Sequence, residues 1–364
     1  MIKLLAVTPM EFDGTSYYRA HGVFPNLVKK MGNQLQITKY KGDFGQGYNW
    51  SDLINFDILF LQRPSLDASK RMRLTQYCKD IGMKVWIDFD DNLFSLPREN
   101  RMFEDVTPQI KKDMIALLKL ADVVTVSTKA LKEFFATIGV VAEVVPNALN
   151  EDVTPMAESY NGPLPENTYI SHSNELKEQI LWRGSETHQG DIYYHINQIF
   201  HAIDNRPNSH WHWMGYDPWY ITNGTEANKY TTHKSEDIMV YFKNLKKLRP
   251  NLVHFPLMDN SLNRCKSNIA WIEATSVGST IIAPDWEEWQ KPGVLNYKSF
   301  DDYGNLLMEP LLHEQLWKAS RDYIMENLTL EIVNEQRVDI IERLMDNTTL
   351  TKFYMSNLPD TMIE

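Results

Sequence analysis

The stretch NRCKSNIAWIEATSVGSTIIAPDWEEW, residues 263–289, sets Lys266 and Glu273 seven residues apart. On a helix that spacing puts two side chains on one face, roughly 10 Å apart along the axis, about the span of a ribose and its diphosphate. Lys266 and Ser267, in the first turn of a helix expected over 266–275, would meet a diphosphate together with the helix amides. Glu273, two turns on, would accept hydrogen bonds from ribose hydroxyls. The same spacing also fits an ordinary solvated face. Gly278 then allows a tight turn into a short strand, and Asp285 follows that strand.

Three further segments carry chemistry. ILWRGSETHQGD reads as strand, Gly turn and helix, a usual place for phosphate. In it Arg183 can neutralise a diphosphate, Gly184 and Ser185 make the turn, and His188 can donate to the ligand or simply cap and pack the helix. TPMEFDGTSYYRAHG follows the first strand: Gly14 permits close backbone approach, Thr15 or Ser16 can N-cap the helix, and Arg19 sits one turn inside it. Neither a GxGxxG fingerprint nor a P-loop Gly-Lys-Ser/Thr is present there; Gly14 and Arg19 are expected to meet a ligand, and an ordinary turn with Arg19 on the surface is the alternative. KVWIDFDDN puts Asp88, Asp90 and Asp91 at the end of a buried strand. Such acids can bind metal, accept a proton or hold sugar hydroxyls, and they also make Asx turns. Although DFD formally matches a metal-binding D-x-D, the cationic diphosphate site elsewhere makes the match false. Asp90 and Asp91 are expected to face an acceptor hydroxyl, and no metal or resident cofactor is expected.

These residues sit on an alternating pattern. Strands are expected at 3–8, 58–62, 84–89, 123–127 and 143–145, with helices at 17–30, 69–81, 108–119 and 128–138. A second series has strands at 180–183, 210–214, 252–255 and 280–283, and helices at 191–203, 236–248, 266–275 and 314–327. A last amphipathic helix covers 330–344. Alternation of this kind predicts an α/β protein with parallel sheets covered by helices on both faces. The Pro-, Asn- and Gly-rich run at 146–169 reads as a linker. The division expected is 1–160 for a first Rossmann-like domain, 161–328 for a second, and 329–364 for a helical tail packing back on the first. Ligands would bind in a cleft at the carboxyl ends of the strands.

The formal net charge of −11 argues against broad affinity for nucleic acid. Local clusters at Lys243, Lys246, Lys247 and Arg249, and at Lys29, Lys30, Lys39 and Lys41, leave a basic groove open. Two cysteines, Cys78 and Cys265, in different domains point to a reducing compartment. No apolar run reaches membrane-spanning length, so a soluble cytoplasmic protein is expected. Clustered acids at a strand end also mark phospho-receiver domains, but a single such domain leaves the second half unexplained.

Taken together, GTSYYRAHGVFPNL, FDILFLQRP, GMKVWIDFDDNLFSLPREN, ADVVTVST, VVPNALN, LWRGSETHQGD and PLMDNSLNRCKSNIAWIEATSVGSTIIAPD run nearly end to end in the order of a known family. The chain resembles GT-B glycosyltransferases of the family-4-like group, most closely the divergent branch frequent in tailed phages. The resemblance implies two Rossmann-like domains, a nucleotide-sugar donor (expected to be UDP-linked) on the second, an acceptor facing the first, and a C-terminal helix crossing back. It puts Arg183 and Lys266 at the donor diphosphate, and Glu273 at the ribose as the second acid of an E-x7-E motif. The first acid of that motif falls at Cys265, which cannot act as a carboxylate and leaves the sugar and the stereochemistry of transfer open. The acceptor is expected to be a hydroxylated or hydroxymethylated base in phage DNA, or a cell-surface glycan. A non-catalytic sugar-nucleotide-binding scaffold is the alternative of another class.

Overall fold

A computed structural model describes residues 1–9, 13–40, 50–161, 178–309 and 313–356. It divides into two compact units. Unit 1 comprises residues 1–95, 104–147 and 330–364, and unit 2 comprises 96–103 and 148–329. The changeover thus falls at 147 rather than 160. The reason is hydrogen bonding: Ala157 N–H donates to Ser276 O and Asn161 N–H to Gly278 O, so the first half of the expected linker is bound into unit 2. The rest of it, 162–169, and Lys41 lie outside the described residues.

Unit 1 holds a six-stranded parallel sheet: β1 Ile2–Val7, β2 Leu35–Tyr40, β3 Ile58–Gln62, β4 Lys84–Phe89, β5 Val123–Val126 and β6 Glu143–Val144. Their spatial order is β2-β1-β3-β4-β5-β6. Strands β3 and β5 are buried at every position, which is why they read as apolar runs without alternation. β2, with its mixed LQITKY, escaped the sequence reading because an edge strand carries a weaker apolar signal.

Unit 2 holds the second six-stranded parallel sheet: β7 Glu178–Arg183, β8 Ser209–Met214, β9 Tyr230–His233, β10 Leu252–His254, β11 Thr280–Pro284 and β12 Val294–Tyr297. Their order is β12-β11-β10-β7-β8-β9, the doubly-wound arrangement with its reversal between β7 and β10. The two strands missed by sequence, β9 and β12, are again the edges. One face of β8 buries Trp211 and Trp213 against Ile199, Ile203 and Tyr303.

The helices differ from expectation where the chain must turn sharply. The helix expected over 17–30 is three pieces: Gly14–Ser16, a π-turn Tyr17–His21, and Phe24–Met31. Asp13, not Thr15 or Ser16, is the N-cap, its carboxylate accepting from Ser16 N–H at 2.5 Å. The π-turn swings Arg19 into the core of unit 1. There Arg19 grips Asp88 through both carboxylate oxygens, at 2.6 and 2.8 Å, and donates to Val145 O and Asn147 Oδ1. Asp88 also accepts from Thr125 Oγ1 at 2.6 Å, and that hydroxyl accepts from Trp86 Nε1. Arg19 is 2% exposed, so the sequence expectation that it touches a ligand is corrected: it ties β1, β4 and β6 together. The last helix, Leu330–Ser356, belongs to unit 1, where Lys30 bridges to Glu331 and Glu335.

Removing one partner of a buried, bidentate pair leaves the other charge uncompensated. Asp88→Asn is therefore expected to destabilise unit 1 by about 3–5 kcal/mol, read by denaturant unfolding. The double variant Arg19→Met with Asp88→Leu should recover most of that loss. An Asp88→Asn protein as stable as the parent would remove the pair from its structural role.

Candidate functional site

The reversal of strand order in unit 2 lies between β7 and β10, and in unit 1 between β1 and β3. At such a point neighbouring loops leave in opposite directions and open a crevice at the strands' carboxyl ends. Arg183, Gly184 and Ser185 stand at the end of β7, and Gly14 and Thr15 in the short helix after β1, so these lie at the two points.

In unit 2, β7 ends at Arg183 and runs into Gly184 and Ser185. A Cβ on Gly184 would stand 2.8 Å from the Trp182 ring, and a Cβ on Gly215, at φ +96°, would strike Gly184 O. Glycine at both places lets the ends of β7 and β8 meet. Ser185 is exposed and its hydroxyl pairs with Thr187 at 2.7 Å. His188, in the next short turn, is buried against Trp182 and Phe255. Its Nδ1 lies 2.8 Å from Asp191 Oδ2. Asp191 Oδ1 accepts from Met258 N–H and Asn263 Nδ2, so the carboxylate is fixed from three elements. Asp191 and Asn263 were not singled out in the sequence, and no local motif marks them, since their partners are far along the chain.

Burial first, and then the charge of Lys266, hold the His188 imidazole below its ordinary pKa, against the pull of Asp191. A neutral ring whose Nδ1–H faces a carboxylate presents a lone pair at Nε2. To donate to a ligand from Nε2, such a ring must first take up a proton. An anion bound beside it would favour this.

Lys266 does not open a helix. The chain makes a short helix Ser261–Arg264, passes Cys265, Lys266 and Ser267, and begins the next helix at Ile269, with Asn268 as N-cap. The seven-residue spacing thus reaches from a loop to the second turn of Ile269–Ser276, not along one helix face. The charges of Lys266 and Arg183 both act on His188 to hold its pKa down. Glu273 is 4% exposed, which excludes the solvated-face reading. It forms a close ion pair with Arg183 and accepts from Tyr241 Oη at 2.7 Å. Arg183 and Glu273, expected to meet diphosphate and ribose separately, are thus each other's partners, with Tyr241 the third member. Gly278 has φ +88°, and a Cβ there would meet Ser159 O at 2.6 Å, so its glycine serves packing as well as the turn. Asp285 follows β11 but accepts from Gln290 Nε2 and lies 3.4 Å from Lys298 Nζ.

In unit 1, Gly14 opens the turn after β1 and precedes Thr15. Asp88 points inward to Arg19, while Asp90 and Asp91 stand at the carboxyl edge of β4. Burial, then the charge of Asp91, push the Asp90 carboxyl up to about 6, against the opposing pull of Arg63 and Arg19. Asp90 Oδ1 is buried and has no hydrogen-bond partner among the described residues. Arg63 was quoted in the sequence but given no role. Among the described residues it is one of two non-glycine residues with positive φ, at +44°, immediately before Pro64. Such a backbone costs about 1–3 kcal/mol and persists where surroundings dictate it. Its Nη1 lies 3.8 Å from Asp91 Oδ2 and 3.5 Å from Thr15 Oγ1. Among the described residues no group of three or more His, Cys, Asp or Glu side chains is arranged to hold a metal ion.

No sequence profile of a protein family matches the chain, and no curated protein matches it by sequence. Solved structures do. A glycosyltransferase from Rickettsia africae covers 95% of this chain and 99% of its own at TM-score 0.59 and 12% identity. The trehalose-6-phosphate synthase OtsA covers 94% and 99%, at TM-score 0.60 and 10% identity. An α-glucosyltransferase in complex with UDP and a 13-mer DNA covers 94% and 100%, at TM-score 0.55 and 10% identity. At such identity the likeness shows the fold. The two doubly-wound parallel sheets are those of GT-B proteins, as the resemblance implied.

The His188 titration is directly observable. Imidazole NMR should show it titrating below the ordinary histidine value of about 6.5 in the free protein, and rising on addition of UDP. A His188 that titrates normally and ignores UDP would remove it from the site.

Proposed function

We propose that this chain is a glycosyltransferase that moves a sugar from a nucleoside diphosphate, UDP by preference, to an acceptor hydroxyl, without a metal ion. The observation that carries the proposal is the placing of Arg183 at the end of β7 and of buried His188 just after it, at unit 2's switch point, with Glu273 and Tyr241 holding Arg183 in place. Negative charge develops on the departing diphosphate. Preorganised cations and a histidine able to take up a proton are what stabilise it, in the place a metal fills elsewhere. Lys266 faces the diphosphate. Arg183, oriented by Glu273, lends charge and a hydrogen-bonding fork, and Glu273 is the acid that meets the ribose hydroxyls. Ser267, and Gly184 with Ser185, lie on the loops beside the phosphates.

On the acceptor side Asp90 Oδ1 takes the hydroxyl proton, with Asp91 orienting the group. As the O–H bond breaks, the oxygen's pair forms the new bond to the anomeric carbon. The bond from that carbon to the diphosphate oxygen breaks, and UDP leaves with the pair. A family-4-like branch frequent in tailed phages is the ancestry this reading favours, with cytoplasmic action. The similar fold bound to UDP and DNA supports a hydroxylated base as acceptor. The net charge of −11 supports a neutral glycan. Two members of the basic clusters serve other ends, Arg249 bonding Asn161 and Lys30 bridging the last helix.

Lys266→Ala and Arg183→Ala should each weaken UDP binding by about 1.5–3 kcal/mol, the range for hydrogen bonds to charged groups. Glu273→Gln should weaken it modestly and Glu273→Ala more. Calorimetry giving parental affinity for Lys266→Ala would sink its assignment. Release of UDP from UDP-sugars in excess EDTA separates an enzyme from a binding scaffold, and a manganese requirement would contradict the metal-free reading. Hydroxymethylated DNA and neutral glycans, offered side by side, identify the acceptor.

A further inference from the structure

Unit 1's switch point carries more charge than the proposed reaction uses. The turn after β1 brings Asp13 and Thr15, the end of β3 brings Arg63, and the end of β4 brings Asp90 and Asp91. Arg19 lies below, committed to Asp88, and Arg337 of the last helix lies near both while donating to Asn334 Oδ1. From β5, Ser127 Oγ donates to Asp90 O and fixes the backbone of that acid. The charges of Asp90, Asp91 and Asp13 all act on the Arg63 guanidinium, whose Nη1 lies 3.8 Å from Asp91 Oδ2.

Nothing in the local sequence asks Arg63 to be where it is. A residue before proline prefers extended backbone, and a left-handed arginine is disfavoured twice over. The backbone is held by Arg63 N–H donating to Asp88 O at 2.7 Å. A glycine or asparagine would take the same turn at lower cost. An arginine here is thus explained by its side chain, which the turn carries across the edge of β4 to Asp91 and Thr15.

We propose that Arg63 is a positioning residue that counters the charges of Asp13, Asp90 and Asp91 at this edge, so that Asp90 meets a bound hydroxyl as a carboxylate. The proposal rests on the reading of Asp90 as the acceptor-side base and adds what makes that reading workable. Burial and the charge of Asp91 favour the protonated form of Asp90, and a protonated Asp90 cannot accept another proton. The raised Asp90 carboxyl, still pulled down by Arg63, agrees with this balance. The sign follows: Asp90 is a base above about pH 6, and loss of Arg63 moves that threshold upward.

Arg63→Gly tests it, since glycine accepts the left-handed backbone while the guanidinium is removed with the rest of the side chain. Carboxyl-carbon NMR of the free protein should show the Asp90 midpoint rising by about one pH unit or more, with the melting temperature unchanged or raised. Arg63→Lys, which keeps the charge without the fork, should restore most of the midpoint. The acid limb of the pH profile for sugar transfer should move up with it. Should the glycine variant not fold, Arg63→Asn, also tolerant of left-handed backbone, gives the same readout. An Asp90 midpoint unmoved in the charge-free variant overturns the proposal and leaves Arg63 a packing residue. A midpoint that moves in a protein whose parent transfers no sugar leaves the electrostatic assignment standing, while the transferase reading falls.

Discussion

In an all-parallel sheet every strand delivers its chain to the same edge, and at one place only do successive loops part to opposite faces. This constraint organises both halves of the molecule. In unit 2 the parting lies between β7 and β10, and the residues with cationic, acid-base and hydroxyl chemistry gather there. In unit 1 it lies between β1 and β3, and there Asp13, Arg63, Asp90 and Asp91 collect. The chemistry of each edge follows from what the adjoining loops carry, while the sheets beneath are built from buried apolar strands.

The two edges differ in how charge is managed. In unit 1 the strongest pair, Arg19 with Asp88, is sunk one layer below the edge and spent on holding strands. That leaves the outer acids opposed chiefly by Arg63. In unit 2 the buried pair, Arg183 with Glu273, is itself part of the edge, steadied by Tyr241, and Lys266 and His188 stand close to it. A buried cation already paired is rigid and oriented. His188, held below its ordinary pKa chiefly by burial and tied to Asp191, is a group there whose proton count can change with ligand charge.

Much of this was legible in the sequence, for identifiable reasons. Buried strands such as 58–62 and 84–89 carry so many apolar residues that their limits could be read without structure. Edge strands β2, β9 and β12 could not, because half-exposed strands mix polar and apolar residues. The turn residues Gly184 and Gly278 were readable because only glycine fits there. What failed was the assumption of helical continuity: Lys266 lies before its helix, and Arg19 is turned inward by a π-turn that no periodicity announces. Partnerships between distant residues, Arg183 with Glu273 and His188 with Asp191 and Asn263, needed the fold. Arg63 needed the backbone angle, which a sequence does not carry.

The central claim is that a nucleotide-sugar donor binds at the switch point of unit 2. Hydrogen–deuterium exchange with and without UDP tests it most directly, because it reads binding along the whole chain and requires no knowledge of the acceptor. The account predicts slowed exchange over 183–191 and 263–276, with the edge of unit 1 around Arg63 and Asp90 unchanged by nucleotide alone. Protection confined to the loops of unit 1, or none anywhere at saturating UDP, would contradict it.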